Sequence, residues 1–183
     1  LSVSADKSSF KHEMVRKTLG SMQAIKEIQI KNGEKGVNRY IISNNQSAVN
    51  VMEVFAMLKM SAFPDQLPVD IIPLFETVDD LKRASSVMET LYGDEVYREH
   101  VRKRGNQQTI MLGFSDGTKD GGYLMANWSI FKAKEELSRI SRKHNIKVIF
   151  FDGRGGPPAR GGGKTHQFYA SLGPTIEYRV IQR

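Results

Sequence analysis

Apolar positions recur in two rhythms along this chain, and the rhythms alternate. From about Ser8 to Gln29 the apolar residues Met14, Leu19, Met22, Ile25 and Ile28 fall at helical spacing, and Gly33-Glu34-Lys35-Gly36 breaks the pattern. Asn38-Arg39-Tyr40-Ile41-Ile42-Ser43 then reads as a strand. Asn44-Asn45 can cap a helix to about Met60, with Val51, Val54, Phe55 and Leu58 on its buried face. After the Pro64 and Pro68 loop, Val69–Phe75 is a second strand, although Pro73 removes a ladder donor. A capping box at Thr77-Val78-Asp79-Asp80 opens a helix burying Leu81, Ala84, Val87, Met88 and Leu91. A short helix follows over roughly Asp94–Lys103, then a strand at Thr109–Phe114. A long helix from near Lys119 to Lys143 buries Ala126, Ile130, Ala133, Leu137 and Ile140, and Trp128 is expected to pack there too. Lys147–Phe151 is the fourth strand, a last helix opens near Lys164, and the chain ends in the apolar run Ile176–Ile181.

Repeated strand-then-helix units predict an α/β fold with a parallel sheet. The strands are near-continuous apolar runs, as expected when both faces are covered. A Rossmann-type sheet and a TIM barrel both fit. A full barrel takes eight units and typically about 250 residues. The four to five units here amount to about half a barrel.

The 183 residues suffice for one domain, and 39% hydrophobic with 26% charged content excludes a disordered chain. No apolar run approaches the roughly 20 residues of a membrane span, and Leu1–Asp6 has no signal-peptide character. The absence of cysteine rules out thiolate zinc sites and disulfides and fits a reducing cytoplasm. A net charge of +7 favours anionic partners. The densest basic cluster, Arg98 with Arg102-Lys103-Arg104, precedes Gly105-Asn106 and reads as a helix C-terminus rather than a nucleic-acid patch. A chain that starts at Leu1 and stops at Arg183 within an apolar run is expected to be a piece of something longer.

Candidate chemistry gathers just past the strand ends, where α/β folds build their sites. Ser43 and Asn44 follow the first strand, Glu76 the second, Ser115 and Asp116 the third, Asp152 and Arg154 the fourth. The loop from Phe151 to Thr165 carries two Arg-Gly-Gly units, at Arg154-Gly155-Gly156 and Arg160-Gly161-Gly162. Glycines let backbone approach a ligand closely, and guanidinium forks grip phosphate or carboxylate oxygens bidentately. Glu76 and Asp116 with these arginines are the parts of a Mg²⁺ or Mn²⁺ site holding a phosphorylated substrate. Each carboxylate has a plainer reading: Asp116 could cap the helix after it, and Glu76 could sit beside the cap at Thr77. Lys119 and Asp120 could be an ordinary helix start. Of the four histidines, His12, His100 and His144 read as solvated, and His166 follows the loop. Gly163-Lys164-Thr165 imitates a P-loop, but Pro158 stands where that pattern needs glycine.

Three stretches together resemble phosphoenolpyruvate carboxylase. They are Pro73-Leu74-Phe75-Glu76-Thr77-Val78-Asp79-Asp80-Leu81, Gly113-Phe114-Ser115-Asp116-Gly117-Thr118-Lys119-Asp120-Gly121-Gly122, and Phe151-Asp152-Gly153-Arg154-Gly155-Gly156 with Ala159-Arg160-Gly161-Gly162. The resemblance is strong from about Arg39 to His166 and covers a middle part of a longer family chain. It implies a leading helix over 1–36 and an incomplete (β/α)8 barrel over 37–183. It implies metal binding by Glu76 and Asp116, with Mg²⁺ or Mn²⁺. It puts Arg154, Gly155 and Gly156 on the substrate phosphate and Lys119 near bicarbonate. Arg160 would sit over the site and hold an inhibitory dicarboxylate, aspartate or malate. The implied reaction converts phosphoenolpyruvate and bicarbonate to oxaloacetate and phosphate, in a cytoplasmic homotetramer without nucleic-acid or membrane partners. The chain alone is then expected to be inactive. Most relatives carry histidine where Asp152 stands, so a hydrogen bond donated to phosphate there is lost or redirected. Two alternatives remain: another barrel enzyme acting on phosphoenolpyruvate or pyruvate, and a basic Arg-Gly-Gly module binding nucleic acid.

Overall fold

The computed structural model describes residues 11–153, 163–171, 173, 176, 180 and 181. Its elements run α1 (Glu13–Asn32), β1 (Arg39–Ile42), α2 (Ala48–Ser61), β2 (Asp70–Phe75), α3 (Val78–Gly93), α4 (Glu95–Lys103), β3 (Gln107–Gly113), α5 (Ser115–Lys143), β4 (Lys147–Gly153), α6 (Thr165–Ala170) and β5 (Val180–Ile181). Every element expected from the hydrophobic pattern forms, and the terminal apolar run supplies β5. The helix expected from Ser8 is described from Glu13 and runs on to Asn32.

The strands make one sheet in the order β1-β2-β3-β4-β5, and every pairing is parallel. Neighbours in space are neighbours in sequence, so this order never reverses. A Rossmann-type sheet binds its ligand where the order does reverse. No such reversal occurs among the described strands.

Register sorts the strand residues onto two faces. The pairs Ile42↔Pro73, Phe75↔Leu112 and Leu112↔Asp152 share one face. Residues of that parity, Ile42, Ile71, Phe75, Ile110, Leu112, Val148 and Phe150, join the helices in a single core cluster. The partners from the helices include Val51 and Leu58 of α2, Leu81, Ala84 and Met88 of α3, and Ala126, Ile130, Leu137 and Ile140 of α5. The opposite parity stays out of that cluster, and its Ile41 is exposed. One face is thus built for helices and the other carries no described helix layer in the core.

Pro73 pairs with Ile42 at the end of the β1–β2 ladder, and the described β2–β3 pairing begins just beyond it, at Leu74↔Met111. Before that point, on the β3 side, the buried Gln108 side chain donates to the Ile71 carbonyl at 3.0 Å and accepts from the Tyr97 hydroxyl at 2.9 Å. A buried carbonyl left without a donor is costly, so a side-chain amide takes the place of a ladder bond.

Four expectations are corrected, the first being the cap of α2, which Ser47 forms with Asn50 in place of Asn44-Asn45. Helix α5 starts at Ser115, not near Lys119, and is broken at Gly122, whose φ of 78° suits a residue without Cβ. Trp128 is 59% exposed and stacks on Phe131, because the apolar stripe of α5 passes through Ala126 and Ile130 instead. His100 is buried against Phe55 and Tyr97, and His144 is largely covered against Tyr92 and Glu89. Charged neighbours in sequence concealed that both imidazoles point to the apolar side.

Candidate active site

A parallel sheet brings the C-terminal ends of β1 to β4 to one edge, and the motif residues follow them there. Glu76 lies one residue beyond β2, beside Gly113 at the end of β3, which pairs with Gly153 at the end of β4. A Cβ on Gly113 would lie 3.1 Å from the Glu76 Cα, and one on Gly117 would lie 3.4 Å from the Glu76 carbonyl oxygen. These glycines let the Ser115-Asp116 turn close directly onto Glu76. From the β1 side, the Asn44 N–H donates to Glu76 Oε2 at 3.3 Å. Next to it Asn45 is fully buried, and its amide nitrogen and oxygen have no hydrogen-bond partner among the described residues. Such atoms are costly unless a further group reaches them.

The capping alternatives for both carboxylates fall away. Thr77 Oγ1 accepts from the Asp80 N–H and Asp80 Oδ2 accepts from the Thr77 N–H, each at 3.1 Å, so α3 is capped without Glu76. Burial pushes the Asp80 carboxyl up, but hydrogen bonds from Thr77 and Arg83 outweigh this and hold it below the ordinary carboxylate range. Helix α5 has Phe114 at its N-cap and no side-chain cap bond, so Asp116 sits in the first turn with its carboxylate unused as a cap. There its charge complements the helix dipole.

Asp116 does have a partner. Lys119 Nζ lies 2.9 Å from Asp116 Oδ1, and this hydrogen bond raises the lysine above its usual range. Both side chains are exposed, so the pair is weak and readily exchanged. Among the described residues no group of three or more His, Cys, Asp or Glu side chains converges. Two carboxylates nonetheless suit Mg²⁺, which keeps several waters and commonly takes one or two protein carboxylates plus substrate phosphate.

Asp152 goes elsewhere. Its register puts it on the helix-covered face with Leu112, while Glu76, Gly113 and Gly153 belong to the opposite parity. Its carboxylate meets Lys134 of α5 at 2.8 and 2.9 Å, with the two side chains 1% and 0% exposed. In the core the Asp152 carboxylate accepts from the Lys134 ammonium. Lys134 was legible in principle, since it lies four residues after Ile130 and three before Leu137, on the buried stripe. Asn44, named from sequence among the polar residues past the strand ends, takes part through its N–H, whereas the part of Gly113 and Gly117 as spacers goes unread there.

Arg154, Arg160, Gly155 and Gly156 lie outside the described residues. His166 and Lys164 are exposed. In the basic cluster, Arg102 forms two hydrogen bonds of 2.7 Å with Glu99, and Arg104 contacts Asp70 and Glu34 at 2.6 and 2.7 Å. No helix among the described residues is long and apolar enough to cross a membrane.

The sequence profile of the family described as Phosphoenolpyruvate carboxylase matches residues 4–174. The chain is 40% identical over 148 residues to the phosphoenolpyruvate carboxylase of Corynebacterium diphtheriae, covering 81% of this chain and 16% of that protein. It is 42% identical over 158 residues to the enzyme of that name from Nitrosomonas europaea, covering 82% and 17% respectively. The chain therefore spans about a sixth of the length of these curated relatives.

Proposed function

Because the chain belongs to the phosphoenolpyruvate carboxylase family, we propose that it supplies the metal- and phosphate-binding segment of an enzyme that carboxylates phosphoenolpyruvate. The activity belongs to the full-length protein, and the chain by itself does not turn over. The observation that carries this reading is the meeting of Glu76 with the Ser115-Asp116-Gly117 turn at the strand ends, both carboxylates being free of capping. The sequential parallel order with helices on one face supports a (β/α)8 barrel, of which this would be about half.

In this reading Glu76 and Asp116 hold a Mg²⁺ or Mn²⁺ ion, which when bound supplies Lewis-acid stabilisation of developing negative charge. Arg154, with the Gly155-Gly156 backbone, grips the phosphoryl oxygens. A bicarbonate oxygen attacks phosphorus and the bridging phosphorus–oxygen bond breaks, giving carboxyphosphate and the enolate of pyruvate. Carboxyphosphate splits to carbon dioxide and phosphate, and the enolate carbon attacks carbon dioxide to give oxaloacetate. Lys119, whose contact with Asp116 is exposed and readily exchanged, would turn to the bicarbonate. Arg160 closes the loop over the site, excludes the water that would protonate the enolate, and takes an inhibitory dicarboxylate such as aspartate or malate. The full-length protein is a cytoplasmic homotetramer.

The test is oxaloacetate formation by the full-length protein from phosphoenolpyruvate. Product that requires both bicarbonate and Mg²⁺, and an Asp116→Asn variant that folds but needs far more Mg²⁺, would support the reading. Pyruvate in place of oxaloacetate would favour another phosphoenolpyruvate enzyme. The nucleic-acid alternative draws no support from the basic cluster, where Arg102 and Arg104 contact carboxylates.

A further inference from the structure

Lys134 and Asp152 are both removed from water, yet neither belongs to the face that carries Glu76. The ammonium also lies over the Phe150 ring, 5.6 Å from its centroid. Withdrawing two charges from water is expensive, and apolar side chains of similar volume often pack at least as stably. A buried pair therefore contributes direction more than stability, because it is satisfied in one geometry where an apolar contact tolerates sliding.

Its place in the fold says what is being directed. Asp152 stands two residues before Arg154 and is followed by Gly153, which has no side chain to anchor. Described pairing with β5 ends at Phe151. At Gly153, the carbonyl accepts from the Phe114 N–H at 3.3 Å, the residue from which α5 starts toward Asp116. Asp152 is thus the last described side chain of β4 that grips the core.

We propose that Lys134 and Asp152 act as one positioning unit, which clamps the end of β4 to α5 two residues before Arg154 in the sequence, while Asp152 itself touches no substrate. The proposal deepens the phosphoenolpyruvate reading and rests on it for the role of Arg154. It also means that installing the usual histidine at 152 sets an imidazole against a buried ammonium and impairs the protein.

The experiment compares Lys134→Met, Asp152→Asn, Asp152→His and the double variant Lys134→Met/Asp152→Leu in the full-length protein. Each is read by KM for phosphoenolpyruvate, kcat, thermal midpoint and amide exchange at Phe114. Each single variant should raise KM about tenfold or more, since small misplacements of a binding group are amplified in rate and affinity. The double variant should keep a KM raised as far as in the single variants, even with a thermal midpoint at or above the original, because an apolar contact does not fix one geometry. If Asp152→Asn raises KM while Lys134→Met does not, Asp152 acts on the substrate directly and the proposal is overturned. If KM simply follows the thermal midpoint, so that the double variant restores both, the role is structural only and the proposal also fails. Should the original protein form no oxaloacetate, the functional reading falls, and exchange at Phe114 decides separately. Faster exchange in the single variants would uphold the clamp, and unchanged exchange would refute it.

Discussion

Replacing Gly113 by alanine puts a methyl group into the closest backbone approach of the candidate site. The new Cβ would lie 3.1 Å from Glu76 Cα, 3.3 Å from its Cγ and 3.4 Å from its Cβ. Carbon atoms rest at about 3.5–4.0 Å, so these contacts must open by roughly half an ångström. The preceding pairs Leu74↔Met111 and Phe75↔Leu112 hold the two strands, which leaves Glu76, beyond the end of β2, to move. Overpacking of this kind costs about 1–3 kcal/mol of stability. Productive site geometry tolerates only about 0.5 Å, so the displacement should also raise the Mg²⁺ concentration for half-maximal activity by about tenfold in the full-length protein. The assay is a Mg²⁺ titration of oxaloacetate formation at saturating phosphoenolpyruvate, with a thermal melt as control. Gly153→Ala is the comparison, because its closest clash, 2.8 Å, is with the movable Met111 methyl. A folded Gly113→Ala protein with an unchanged Mg²⁺ midpoint would refute metal ligation by Glu76.

Three further outcomes follow from the same geometry. Burial, aided by the positive charges of Arg104 and Lys59, pushes the His100 imidazole down to about 4, below its ordinary value of 6.5. The folded state therefore keeps it neutral, and stability that is full above about pH 6.5 falls as pH drops toward 4, by at most roughly 3 kcal/mol. Denaturant unfolding of a His100→Phe variant should lose that part of the pH dependence, and an unaltered profile would contradict the burial argument. Gly20→Ala, inside α1 with nothing within 4 Å of the added carbon, should stabilise by about 0.5–1 kcal/mol; a drop in thermal midpoint would count against that helix packing. Arg154→Lys should lower kcat/KM by about 10–100-fold as a charged bidentate contact is lost, with the thermal midpoint nearly unchanged. Equal kinetics would remove Arg154 from the phosphate site.

Much of the architecture is legible without coordinates, because it depends on local periodicity. The spacing of Leu81, Ala84, Val87, Met88 and Leu91, or of Ala126, Ile130, Ala133, Leu137 and Ile140, names the buried face of a helix, and all of these residues are buried. Strand-then-helix alternation implies parallel strands, and parallel strands bring Asn44, Glu76 and the Ser115-Asp116 turn to one edge. What periodicity leaves open is decided by packing across the sheet. Strand order and register are set by contacts between distant segments, and periodicity does not contain them. Register also sends Asp152 to the helix-covered face, because successive strand residues point to opposite sides and Leu112↔Asp152 fixes the parity. The burial of His100 could not be read from its charged neighbours in sequence, since burial belongs to the elements that close over a side chain, and Lys134 is signalled only by its place on the buried stripe of α5. Sequence chose the residue types gathered at the strand ends, but only the tertiary structure determined that Glu76 faces the open edge while Asp152, at the end of a neighbouring strand, is held by a lysine in the core.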